Sequence, residues 1–122
     1  MNFVLELPAE RRSVTRARQA LADFARSHGV DLERLKIAVS EAVGNAVLHA
    51  YQGEESGTVV VSAEVLDRDL VVHVSDRGTG MTPASPSSGL RLGFPLIASM
   101  ADRMEIEGSG AGLTVTMYFA TA

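Results

Sequence analysis

Between Asp31 and Tyr51 the apolar residues recur with helical spacing. At about 100° per residue, Leu35, Val39, Ala42, Val43, Ala46 and Ala50 share one stripe, as an amphipathic helix requires. Glu41 and Asn45 fall together on the flank of that stripe, one turn apart. Neither is needed there for solubility. A carboxylate beside an amide at the edge of a core is a chemical arrangement, so this helix is expected both to pack and to carry function.

A second stretch invites the same attention. Asp76-Arg77-Gly78-Thr79-Gly80-Met81 is a glycine-rich loop that follows a valine-rich, strand-like run. Its glycines permit positive φ, or let a ligand approach the backbone with no Cβ in the way. Taken alone, the loop reads first as a tight turn after a strand. Gly89-Leu90-Arg91-Leu92-Gly93 is similarly two-sided, since glycines before a helix can bind phosphate at its N-terminus or simply make a turn. No Gly-Lys-Ser/Thr follows either stretch, which excludes a Walker loop. The glycines do not follow a first strand within a βαβ unit, which excludes a Rossmann site.

The other segments frame these two. Asn2 to Leu7 alternates as a strand with Phe3, Leu5 and Leu7 on one side, and Pro8 ends it. Arg11 to His28 reads as a helix burying Val14, Ala17, Leu21, Phe24 and Ala25, with Gly29 as its stop. Asp31 is a suitable N-cap for the helix bearing Glu41. Thr58 to Leu66 and Leu70 to Ser75 pair as a hairpin through Asp67-Arg68-Asp69. Thr82 to Ser88 has two prolines and no large apolar side chain, and reads as a mobile segment. Leu92 to Met100 returns to helical spacing through Leu92, Leu96 and Met100, with Ile97 beside them. Arg103 to Glu107 and Leu113 to Ala120 are strands around a turn at Gly108 to Gly112. This order predicts one domain over residues 1–122. Its fold is an α/β (α+β) two-layer sandwich, a mixed, mostly antiparallel sheet covered on one face by helices.

Composition narrows the classes. A chain of 122 residues, 46% hydrophobic, supports one core. A formal charge of −4 argues against direct nucleic-acid binding, which needs a basic face. The absence of cysteine excludes disulfides and thiolate metal sites. His28, His49 and His73 lack metal-site spacing. No apolar run approaches the roughly 20 residues of a membrane span, and no signal-peptide pattern opens the chain. A cytoplasmic protein is the expectation. Arg11, Arg12, Arg16 and Arg18 form a basic cluster, either solvated surface or a dock for an acidic protein.

Glu41 through Tyr51, then Asp76 through Met81, then the glycine-bearing segment and Gly93-Phe94-Pro95-Leu96-Ile97 together resemble the GHKL ATP-binding fold of gyrase-type ATPases and histidine kinases. Within it, the chain is most similar to bacterial anti-sigma factor serine protein kinases. The resemblance implies ATP or ADP with Mg²⁺ as ligands. It assigns Asn45 to Mg²⁺, for which one or two protein oxygens suffice when phosphates and water supply the rest. It assigns Glu41 as the general base and Asp76 as the reader of the adenine amine. Gly78, Gly80 and Met81 would line the base. Thr82 to Arg91 would form a lid, and Arg91, Leu92 and Gly93 would lie near the phosphates, with Gly93 at the next helix start.

Two departures stand out. Arg91 replaces a glycine of the usual lid triplet; it could reach the γ-phosphate or obstruct a close backbone approach. Gly112-Leu113 replaces a common Gly-Thr, and by strand alternation Thr114 should point to the opposite face. The implied function is sequestration of a sigma factor together with serine phosphorylation of an anti-sigma-factor antagonist. The alternative is a nucleotide-binding module that sequesters its partner without phosphoryl transfer. Homodimers are common in the resembling family, so a second copy is a further expected partner.

Overall fold

The computed structural model describes residues 2–50, 57–78, 88–109 and 112–121, without the side chains of 49, 50, 88–93 and 109. In chain order the elements are β1 (Asn2–Pro8), α1 (Arg11–Ala25), α2 (Leu32–Asn45), β2 (Thr58–Leu66), β3 (Asp69–Asp76), α3 (Ser88–Met100), β4 (Arg103–Ser109) and β5 (Gly112–Ala120). A 3₁₀ turn, Arg26–His28, closes α1, and a π-helical turn, Ala46–Ala50, extends α2.

The five strands form one sheet in the order β1-β2-β3-β5-β4, and every pairing is antiparallel. Strand alternation decides which side chains go inward. Leu113, Val115, Met117 and Phe119 of β5 are buried, and so are Val59, Val61 and Ala63 of β2 and Val72 and Val74 of β3. Leu35, Ala38, Val39, Ala42 and Val43 of α2 join them from above, with Ala17, Leu21 and Ala25 of α1. Each fully buried Leu or Val side chain in this set stabilises the fold by roughly 1.5–3 kcal/mol.

Local signals act as expected at the ends of α1 and α2. The Asp31 carboxylate accepts from the Arg34 backbone N–H at 3.2 Å, satisfying one of the unpaired donors of the first turn. Gly29 takes φ 77 at the end of the 3₁₀ turn, a left-handed conformation suited to glycine. Phe24 packs on Phe3 with ring centroids 5.4 Å apart, tying α1 to β1.

Helix α3 departs from expectation in two ways. It begins at Ser88, not Leu92. The prolines at 83 and 86 forbid helix only upstream, and the single Gly89 costs about 1 kcal/mol, too little to delay it. Its buried face is also rotated: Ile97 and Ala101 are fully enclosed and Phe94 packs beside them, while Leu96 is 37% exposed. Pro95, in the middle of the helix, lies on the exposed side. No helix is long and apolar enough to cross a membrane among the described residues.

Candidate functional site

Asn45 is the last residue of α2 before the π-helical turn. At the junction the Ala46 N–H is shared between Ala42 O and Val43 O, as is common where an α-helix ends. Such single π turns in longer helices often mark functional positions. The Asn45 side chain is only 7% exposed, and its Nδ2 is buried with no hydrogen-bond partner among the described residues. Amide N and O exchange places by a flip, so one polar atom of this amide is left without a partner among the described residues. An unpaired buried polar atom costs about 1–3 kcal/mol. Ser40 Oγ on the same helix is unpaired in the same way. Glu41, one turn earlier, is half-buried and belongs to none of the ion pairs among the described residues.

Asp76 ends β3, and α2 and the π turn both lie against that strand. Its carboxylate accepts from the Gly78 N–H at 3.0 Å and from the Leu113 backbone N–H. Burial pushes its pKa up from 3.8 to about 6, and the two backbone donors only partly oppose the rise. A buried acceptor held by backbone at a strand end suits recognition of a planar group with an N–H edge. Gly78, on the turn that Asp76 closes, is buried.

Sequence reasoning missed what holds Asp76 in place. Gly112 has φ 152, and a Cβ there would lie 2.2 Å from Asp76 O and 3.1 Å from Arg77 Cα. Only glycine lets β5 start hard against the loop. The adjacent Leu113 is paired with Asp76 in register and supplies its second donor. The available signal was the glycine opening the last strand, which the sequence could show only as a turn. Thr114 does point to the opposite face, where its Oγ1 is 3.0 Å from Ser75 Oγ.

A model of the histidine kinase-like ATPase domain matches residues 7–119. The chain belongs to this family. It is 36% identical over 118 residues to the serine-protein kinase RsbW of Listeria innocua, covering 94% of this chain and 74% of that one. It is 30% identical over 118 residues to the anti-sigma F factor of Clostridium botulinum, covering 94% of this chain and 77% of that one. The solved RsbU and RsbW domains of a Mycobacterium tuberculosis protein superpose with a TM-score of 0.77 at 24% identity. That match covers 97% of this chain and 32% of the solved one, and it shows the fold.

As a histidine kinase-like ATPase domain the chain keeps Glu41, Asn45 and Asp76 on ordered elements of one layered fold. Gly80 and Met81, and the lid as far as residue 87, lie outside the described residues. Arg91, Leu92 and Gly93 are inside α3. Placement of Gly93 at a helix start is therefore corrected. It is the sixth residue of α3, where its N–H is used within the helix, and the free first-turn donors among the described residues belong to Ser88, Gly89 and Leu90. An anion at this terminus would meet those N–H groups.

The histidines stand apart. His73 Nδ1 is 2.9 Å from Thr116 Oγ1 on the outer face of the sheet, and His28 packs on Phe24. No group of three His, Cys, Asp or Glu that could hold a metal occurs among the described residues. An Mg²⁺ held mainly by phosphates needs no such cage. The buried Asn45 amide, its Nδ2 unpaired among the described residues, fits that kind of site with the Glu41 carboxylate a turn away.

Proposed function

We propose that this chain is an ATP-dependent serine protein kinase that also sequesters a sigma factor and phosphorylates an anti-sigma-factor antagonist. The single observation that carries the reading is the buried Asn45 amide, its Nδ2 without a partner among the described residues, one helical turn from Glu41. The kinship with the serine-protein kinase RsbW and anti-sigma F factors supports it. Adenine sits at Asp76 and Gly78, with Gly80 and Met81 beside the ring. The phosphates lie between Asn45 and the first turn of α3, with Arg91 and Leu92 near them.

Each residue then has a task that its surroundings suit. Ionised Asp76 accepts a hydrogen bond from the exocyclic amine of adenine, which guanine does not offer at that position. Asn45 orients the phosphates, and Mg²⁺, where bound, neutralises their charge. Glu41 takes the proton from the seryl hydroxyl as its oxygen bonds to the γ-phosphorus and the bond to the ADP oxygen breaks. Most of the acceleration comes from positioning two reactants and from charge stabilisation. The partner surface includes α1, where Arg11 and Arg16 are exposed, and its acidic partner binds in the cytoplasm.

The test is phosphoryl transfer from labelled ATP to a panel of purified anti-sigma-factor antagonists and to their Ser→Ala forms. Label on a serine protein, absent from its Ser→Ala form and absent with Glu41→Ala, is the expected result. ATP binding without transfer to any antagonist would replace this reading with a nucleotide-dependent sequestration module.

A further inference from the structure

Gly44 has no structural reason to be glycine. It lies within the continuous helical run of α2 and the π turn, where glycine weakens a helix relative to alanine. A Cβ added there would meet nothing within 4 Å. Neither close packing nor a special φ explains it. Gly44 is three residues from Glu41, on the outward side of the helix. Two large apolar residues lie on the same side: Ile37 is 40% exposed and Leu48 is 62% exposed. Ile37, Glu41, Gly44 and Leu48 follow the i, i+4, i+7, i+11 spacing of a single helix stripe. This stripe faces away from the sheet, and its apolar members keep much of their surface exposed.

We propose that this stripe seats the protein that presents the acceptor hydroxyl to Glu41. The inference rests on the kinase reading, because a base on a helix surface needs its hydroxyl delivered from outside. Gly44 leaves a notch beside Glu41 in which the acceptor's backbone can approach without a side chain between them. Ile37 and Leu48, above and below, supply the apolar contacts that hold an extended or loop segment in place, while the charged group lies at the centre. The occupant is a loop carrying Ser or Thr between apolar residues, not a second copy of this chain.

Gly44→Gln and the double variant Ile37→Glu/Leu48→Glu test this with no residue of the nucleotide site altered. Ile37 and Leu48 are exposed, a Cβ at the half-buried Gly44 meets nothing within 4 Å, and Gln favours helix over Gly, so folding and MgATP affinity should be unchanged. With an antagonist that the wild type phosphorylates, KM for the antagonist should rise by about tenfold or more in each variant, the loss of one good contact. The KM for ATP should stay within about twofold. Wild-type KM for the antagonist in both variants would overturn the seat and leave the kinase reading standing. A parallel loss of ATP affinity, or a change of oligomeric state in sedimentation, would also overturn it by placing the effect at the nucleotide or at a self-contact. No transfer by the wild type to any antagonist would overturn the kinase reading and the seat together.

Discussion

Asp76→Asn should make the nucleotide-free protein more stable and the nucleotide site worse. Burial raises the Asp76 pKa from 3.8 to about 6. The folded value lies above the unfolded one, so the stabilising contribution of the proton is present below about pH 4 and is lost as the pH climbs through 6. Above that, the charged carboxylate weighs against the fold. At about 1.4 kcal/mol per pH unit the full displacement corresponds to about 3 kcal/mol. Solvent reaching the mouth of the site screens part of it, which leaves about 1–2 kcal/mol. Asn keeps an oxygen for the Gly78 N–H and carries no charge. Urea unfolding without nucleotide should show Asp76→Asn ahead of wild type by about 1–2 kcal/mol at pH 8, a rise in Tm of roughly 3–8 °C. The gap should close or reverse near pH 4. The same variant should bind ATP more weakly and discriminate less against GTP. A gap that does not vary with pH, or a variant less stable at pH 8, would refute the argument that buried charge is stored at this position.

Other substitutions separate binding, chemistry and support. Asn45→Ala removes an unpartnered buried polar group, so it should raise apo stability by about 1 kcal/mol in denaturant titration while abolishing Mg²⁺-dependent ATP binding. Glu41→Ala should leave MgATP affinity within about twofold and reduce transfer by about 100-fold or more in single-turnover assays. Gly112→Ala forces a Cβ onto Asp76 O, which must displace the start of β5; we expect a loss of about 2 kcal/mol or more in unfolding and weaker ATP binding.

The sequence made most of the fold legible because its signals were local. Alternation marked β1 as a strand and placed Thr114 of β5 on the outward face, and valine-rich runs marked β2 and β3 as a hairpin. The Asp31 cap and the Gly29 stop bounded helices through chemistry that acts within a turn. The arrangement β1-β2-β3-β5-β4 was not legible, because inserting β5 between β3 and β4 depends on contacts between distant segments. The start of α3 was misplaced because glycine at 89 and 93 looked like punctuation, whereas each glycine is a small penalty against a continuing helix. Its phase was misjudged for a related reason: Leu96 and Ile97 are equally apolar, and only packing decides which is enclosed. At the site, Glu41, Asn45 and Asp76 stood out by type and spacing. The depth of Asp76, the orphaned Asn45 nitrogen and the contact that requires Gly112 arise only when β3, β5 and α2 meet.

Calorimetric titration of ATP with Mg²⁺ into wild type and Asn45→Ala, repeated with GTP, tests the central claim most directly. The account predicts adenine-selective binding in the wild type, weaker without Mg²⁺, and none in Asn45→Ala. Equal binding by wild type and variant, or equal affinity for ATP and GTP, would contradict it.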